Sequence, residues 1–211
     1  MKRRGALSGA FACALLTGLP WSASQVAAHT TPEHDHMKSN SVKVSSADYV
    51  LPDIWLVRDD DRRIKLPAEL NDGRPVVLNF VYTTCPGICP MMSQVFSQFQ
   101  ERLGAQRSKV HMVSISIDPE QDTPARLRDY AKRFAAGSQW QHYTGSVAAS
   151  IAAQKAFNAY SGDKMAHDPL TLMRSGPGAL WVRLDGFATA DDLFIQYTGL
   201  TATRKIASAA P

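Results

Sequence analysis

Cysteine is scarce: 211 residues carry three, Cys13, Cys85 and Cys89. That excludes a disulfide-stapled scaffold, and with 45% apolar and 20% charged residues a chain of this length buries enough surface to fold without bridges. No segment repeats at a fixed period, which excludes solenoids and propellers, so a single domain of ordinary size is expected. The apolar stretch from about Ala6 to Leu19 includes Gly and Ser and falls short of the roughly 20 residues a membrane-spanning helix needs. A surplus of charge is also lacking. Lys and Arg total 23 against 19 Asp and Glu, and without Lys2, Arg3 and Arg4 the balance is 20 to 19. Near-neutrality with no basic run argues against nucleic acid as a partner.

Lys2, Arg3 and Arg4, the apolar stretch and the small residues Val26-Ala27-Ala28 read together as a secretory signal over residues 1–28. The mature protein is then expected outside the cytoplasm. A periplasm is the natural compartment, with the protein soluble or held at the inner membrane by an uncleaved signal. Cys13 follows Ala10-Phe11-Ala12, without the leucine expected three places before a lipidated cysteine, and is expected to leave with the signal. Residues 29–47 are polar, show no helical or strand period, and read as a flexible tether. They carry His29, His34 and His36, for which a solvated linker is the simpler reading and a metal-collecting arm the alternative.

Residues 48–211 are expected to form the folded domain. The turn-rich Arg58–Arg63 segment predicts a hairpin. Pro75–Tyr82 is apolar enough for a strand buried on both faces, and Met92, Val95, Phe96, Phe99 and Leu103 mark a helix after it. A second buried strand is expected over Val110–Ile117, then a helix capped by Thr123-Pro124 with Leu127, Tyr130, Ala131 and Phe134 inward. Trp140–Tyr143 reads as a strand, Ser146 caps a helix to about Tyr160, and Leu170–Met173 pairs with Ala179–Leu184. The last dozen residues are too polar to suggest a helix. This order predicts an α/β domain with a mixed central sheet flanked by helices, a thioredoxin-like fold.

Cys85 and Cys89, with three residues between them, join the first central strand to the following helix. A helix N-terminus stabilises thiolate, the reactive and metal-binding form of cysteine. A plain stabilising disulfide is disfavoured because it would close a very short loop. Two thiolates and an imidazole suit Cu(I) or Cu(II). Zinc takes a fourth protein ligand or a water, and Asp168 offers one. Thiol–disulfide exchange would use the same cysteine spacing. His111 and His142 lie in expected strands and read as packing or surface residues, whereas His167 sits in a loop, Lys164-Met165-Ala166-His167-Asp168-Pro169, entering the C-terminal hairpin. Met91 and Met92 are soft enough to assist copper, though Met92 fits the helix's inner stripe.

Asn79-Phe80-Val81-Tyr82-Thr83-Thr84-Cys85-Pro86-Gly87-Ile88-Cys89-Pro90, followed by Ser114-Ile115-Ser116-Ile117-Asp118-Pro119-Glu120-Gln121-Asp122-Thr123-Pro124, resembles the Sco/SenC family of copper-binding thioredoxin-fold proteins. The resemblance runs from about Tyr49 to Gln196. It implies Cys85, Cys89 and His167 as copper ligands, a copper donor upstream, and a membrane-adjacent partner, cytochrome c oxidase subunit II or a similar copper-site protein. The implied role is delivery of copper to the oxidase's dinuclear centre, or reduction of that centre's cysteines. Family members commonly place Asp directly before the histidine; here Ala166 precedes it and Asp168 follows, so Asp168 is the expected partner of the second ring nitrogen. A metallochaperone catalyses no bond change and needs His167, whereas a reductase needs only the cysteines. A thiol peroxidase on this fold would carry a hydroxyl residue three places before its reactive cysteine, where this chain has Tyr82, and a proline where it has Leu78.

Overall fold

The computed structural model describes residues 42–209. The signal over residues 1–28, the histidines at 29, 34 and 36, and most of the tether lie outside the described residues. Strand β4 (Val76–Val81) is buried along its whole length, because both faces are covered. Val76, Leu78 and Phe80 join one apolar cluster with Phe157 and Trp181. Val77 points the other way, into a cluster with Phe96, Phe99 and Met173. A strand that feeds two cores reads as a continuous apolar run rather than an alternating one.

Strands β5 (His111–Ser116) and β6 (Trp140–Gly145) extend the sheet in parallel from β4. On the other side β7 (Leu170–Arg174) pairs antiparallel with β4, and β8 (Trp181–Asp185) with β7. Strands β2 (Trp55–Arg58) and β3 (Arg63–Lys65) form the expected hairpin and add to β6. With β1 at Lys43–Ala47, the eight-stranded order is β1-β8-β7-β4-β5-β6-β2-β3. Helices α1 (Leu66–Leu70), α2 (Ile88–Leu103), α3 (Pro124–Arg133) and α4 (Val147–Ala156) fall between these strands, giving the mixed sheet flanked by helices that the sequence predicts. Thr123 and Ser146 cap α3 and α4 through their hydroxyls, as expected.

Three expectations are corrected. Lys43–Ala47, assigned to the tether, is strand β1, paired antiparallel with β8 from Lys43↔Asp185 to Ala47↔Trp181. Its polar sequence suits an edge strand, which gains little from apolar residues on its open side. Helix α4 stops before Tyr160, where Asn158 takes a left-handed conformation with φ 51°. The polar C-terminal stretch belongs to helix α5 (Ala190–Ala209). Thr189 begins it: its hydroxyl accepts from Asp192 N at 3.1 Å while its own N–H donates to the Asp192 carboxylate at 2.9 Å. This reciprocal cap, together with Leu193 and Tyr197 against Phe99 of α2, holds a helix of weak apolar character. Among the described residues no helix is long and apolar enough to cross a membrane.

Candidate metal and redox site

Strand β4 delivers Tyr82 to the rim of the sheet, and the chain then turns so that Cys85 precedes α2 and Cys89 lies in its first turn. Cys85 N donates to Tyr82 O at 3.2 Å, Cys89 N donates to Cys85 Sγ at 3.3 Å, and Tyr82 N donates to Cys89 Sγ at 3.4 Å. Both cysteines are buried free thiols. Backbone N–H groups thus face each sulfur, the donors a thiolate requires.

The turn is tied down by Asp122, a fully buried carboxylate from the loop after β5. It accepts from Thr83 N at 3.1 Å, Thr83 Oγ1 at 2.6 Å and Ser116 Oγ at 2.6 Å. Sequence reasoning missed this role. Its signal was a lone acid between two turn-forming segments, which reads equally well as a solvated loop.

His167 follows a single 3₁₀ turn over Lys164–Ala166 and is buried at 7% exposure. Its Nε2 lies 3.6 Å from Cys89 Sγ, and its Nδ1 lies 3.0 Å from the Lys164 carbonyl. A carbonyl only accepts, so Nδ1 carries the proton and the Nε2 lone pair faces the sulfur. This corrects the expectation for Asp168. The backbone of Lys164 orients the imidazole, and Asp168 is exposed at the edge of an open cleft lined also by Ile88, Tyr160 and Arg183. Lys164 Nζ reaches back to Asp118 at 2.6 Å and ties the histidine turn to the loop that holds Asp122. Of the other histidines, His111 is buried against Gln141 at 3.0 Å and Tyr143 at 3.1 Å. His142 is buried with no hydrogen-bond partner for either ring nitrogen among the described residues. Both are packing residues remote from the cysteines in sequence and bonding. Met92 is buried as expected and Met91 is exposed.

The two thiols differ in acidity. Burial disfavours the Cys85 thiolate, but the N–H groups of Cys89 and Gly87 and the Cys89 and Tyr82 side chains outweigh it, so its pKa falls below the usual thiol range. For Cys89 burial dominates. The Tyr82 N–H opposes it, while the charge of Cys85 and of Asp122 adds to it, and the pKa rises well above that range. Burial and the neighbouring sulfurs likewise keep the Tyr82 phenol protonated.

Among the described residues no three His, Cys, Asp or Glu side chains are already gathered as an ion would hold them. At the cysteine turn Cys89 and His167 approach each other. An ion with bonds of about 2.3 Å to sulfur and about 2.0 Å to nitrogen separates those atoms by about 3.5 Å in tetrahedral and about 3.7 Å in trigonal geometry. The observed 3.6 Å lies between these.

Comparison with known proteins bears on the family and the fold. The family model for SCO1/SenC matches residues 56–180. A Bacillus subtilis SCO1 protein homolog is 32% identical over 74 residues, 35% of this chain and 38% of the relative. The mitochondrial SCO1 homolog 1 of Arabidopsis thaliana is 36% identical over 84 residues, 37% of this chain and 23% of the relative. The matched segments thus span less than half the length of each relative. Among solved structures, Bradyrhizobium japonicum ScoI with copper bound superposes with TM-score 0.61 at 21% identity, covering 72% of this chain and 99% of that one. BsSco, a member of the Sco family of cytochrome c oxidase assembly proteins in which a disulfide switch was identified, gives TM-score 0.62 at 23% identity, covering 75% and 96%. These structures share the mixed-sheet, thioredoxin-like fold. With the family model matching more than half its length, the chain belongs to the SCO1/SenC family.

Proposed function

We propose that this protein binds one copper ion through Cys85, Cys89 and His167 and passes it, by exchange of ligands, to the dinuclear copper centre of a respiratory cytochrome oxidase, on subunit II or a similar copper-site protein. The observation that carries this reading is the imidazole: Nδ1 is committed to the Lys164 carbonyl, so Nε2 presents its lone pair 3.6 Å from Cys89 Sγ. Two sulfurs and one nitrogen make a soft, low-coordinate set that favours Cu(I) and tolerates Cu(II). The structural relatives include copper-bound Sco proteins and a cytochrome c oxidase assembly protein, which supports the same assignment. The compartment we propose is the periplasm, with the domain free or tethered at the inner membrane, receiving copper from an upstream donor.

The difference in acidity between the thiols favours a second reading, reduction of the oxidase's cysteines before metal arrives. The Cys85 thiolate would attack a partner disulfide, releasing one partner thiolate and forming a mixed disulfide. Cys89 would then displace the second partner sulfur. Two electrons pass from the Cys85/Cys89 pair, which ends as a disulfide, to the partner, which ends as a dithiol.

Transfer tests the first reading against the second. Two equivalents of Cu(I)-loaded protein mixed with one of the reduced, metal-free copper-site domain of an oxidase subunit II should leave two copper ions on that domain by elemental analysis after separation, and the His167→Ala variant, which loads less copper, should deliver less. Failure to transfer from a stoichiometrically loaded protein, combined with rapid reduction of the oxidised acceptor, would reject delivery in favour of reduction.

A further inference from the structure

Met165 occupies the middle of the 3₁₀ turn that leads into His167. Its backbone is fixed: Met165 N donates to Asp163 Oδ1 at 2.9 Å, and the adjacent Lys164 is bound to Asp118. Its side chain is 62% exposed, yet the thioether does not simply extend into water. The Tyr82 hydroxyl donates to Met165 Sδ at 3.3 Å. The same tyrosine packs its ring edge-on against His167, with centroids 5.5 Å apart. One residue therefore links a thioether to the imidazole at the solvent mouth of the site.

We propose that Met165 is a further copper-contacting residue, a neutral thioether donor that joins Cys85, Cys89 and His167 around bound Cu(I). This rests on the reading of Cys85, Cys89 and His167 as the copper site. A thioether is a soft ligand and adds no charge, so it favours Cu(I) over Cu(II). Three rotatable bonds let Sδ swing from the Tyr82 hydroxyl toward the ion while the backbone stays in place. In the copper-free protein Tyr82 holds the sulfur beside the site. With copper present, the exposed Met165 is the ligand an approaching partner's sulfur can displace first, before the buried Cys89 is reached. Met91, half exposed at 50% in the first turn of α2, is the comparison residue: no sulfur contact ties it to Tyr82, Cys85 or His167 among the described residues.

The test is Cu(I) binding by the reduced full chain, its Met165→Leu and Met91→Leu variants, titrated against a competing Cu(I) chelator, with X-ray absorption at the copper edge to count sulfur neighbours. Leucine preserves the apolar bulk of an exposed side chain, so folding is retained. Met165→Leu should weaken Cu(I) binding about tenfold, the scale at which groups that tune a metal site act, and should lower the sulfur count by one. Met91→Leu should change neither. An unchanged affinity and sulfur count in Met165→Leu, beside wild-type protein that binds stoichiometrically, overturns the role of Met165 alone. Wild-type protein that binds no Cu(I) overturns the underlying site and this proposal with it.

Discussion

Replacing Asp122 tests whether the cysteine turn is held by buried hydrogen bonds. The Asp122 carboxylate serves three donors: Thr83 N, Thr83 Oγ1 and Ser116 Oγ. Ser116 is fully buried, so in Asp122→Ala its hydroxyl loses a charged acceptor that water does not replace, costing about 1.5–3 kcal/mol. Thr83 is half-buried and partly rehydrated, so its two bonds add about 1–2 kcal/mol. Removing a buried charge returns part of its desolvation cost, which brings the net loss to about 3 kcal/mol. Asp122→Asn keeps one acceptor oxygen for Thr83 and lets its amide donate to the Ser116 hydroxyl, so about half that loss is expected. Urea unfolding followed by tryptophan fluorescence measures both, with an unchanged slope showing that only stability has moved. An Asp122→Ala variant within about 0.5 kcal/mol of the wild type would refute the claim, because that is the scale of substitutions that touch nothing structural.

Alkylation at graded pH should label Cys85 below the pH at which an ordinary thiol reacts and leave Cys89 unlabelled, as mass spectrometry of the digested protein will show; equal labelling would contradict the opposite shifts. Burial chiefly, with Arg74 adding and Asp72 and Glu69 opposing, holds the His111 pKa below its ordinary 6.5. The unfolded chain therefore takes up this proton first, and the contribution of His111 to stability is present above pH 6.5 and lost as pH falls through and below it. Chemical unfolding between pH 7.5 and 5.5 should thus be less pH-dependent in His111→Gln than in the wild type. Leu193→Ala, which empties a fully buried site where α5 meets α2, should cost about 2–4 kcal/mol in the same unfolding assay.

The sequence made the centre of the fold legible and left its margins obscure. Val76–Val81 and His111–Ser116 are buried on both faces, so their apolar runs announce them. β1 was missed because an edge strand needs no such run, and only Ala47 and the neighbouring Val42 pack on the clusters while Val44 faces solvent. α5 was missed because its apolar face, Leu193, Phe194, Tyr197 and Leu200, gives way to a polar end; the Thr189–Asp192 cap was the available signal. At the site, spacing identified Cys85 and Cys89, and family resemblance identified His167. Neither indicated that a backbone carbonyl, not Asp168, would orient the ring, since main-chain acceptors leave no trace in residue identity. Tyr82 was weighed only against peroxide chemistry, and its contacts with Met165 and His167 join residues more than 80 positions apart.

Whether Cys85, Cys89 and His167 hold copper is decided by Cu(I) binding to the reduced protein beside His167→Ala, each titrated against a competing chelator. One tightly bound ion per wild-type chain is expected, with a loss of about 100-fold, or about 2.7 kcal/mol, when the imidazole is removed. Binding of equal strength in the variant would contradict His167 as a ligand. Negligible binding by the wild type, with a Cys85–Cys89 disulfide that cycles readily, would contradict the copper site itself.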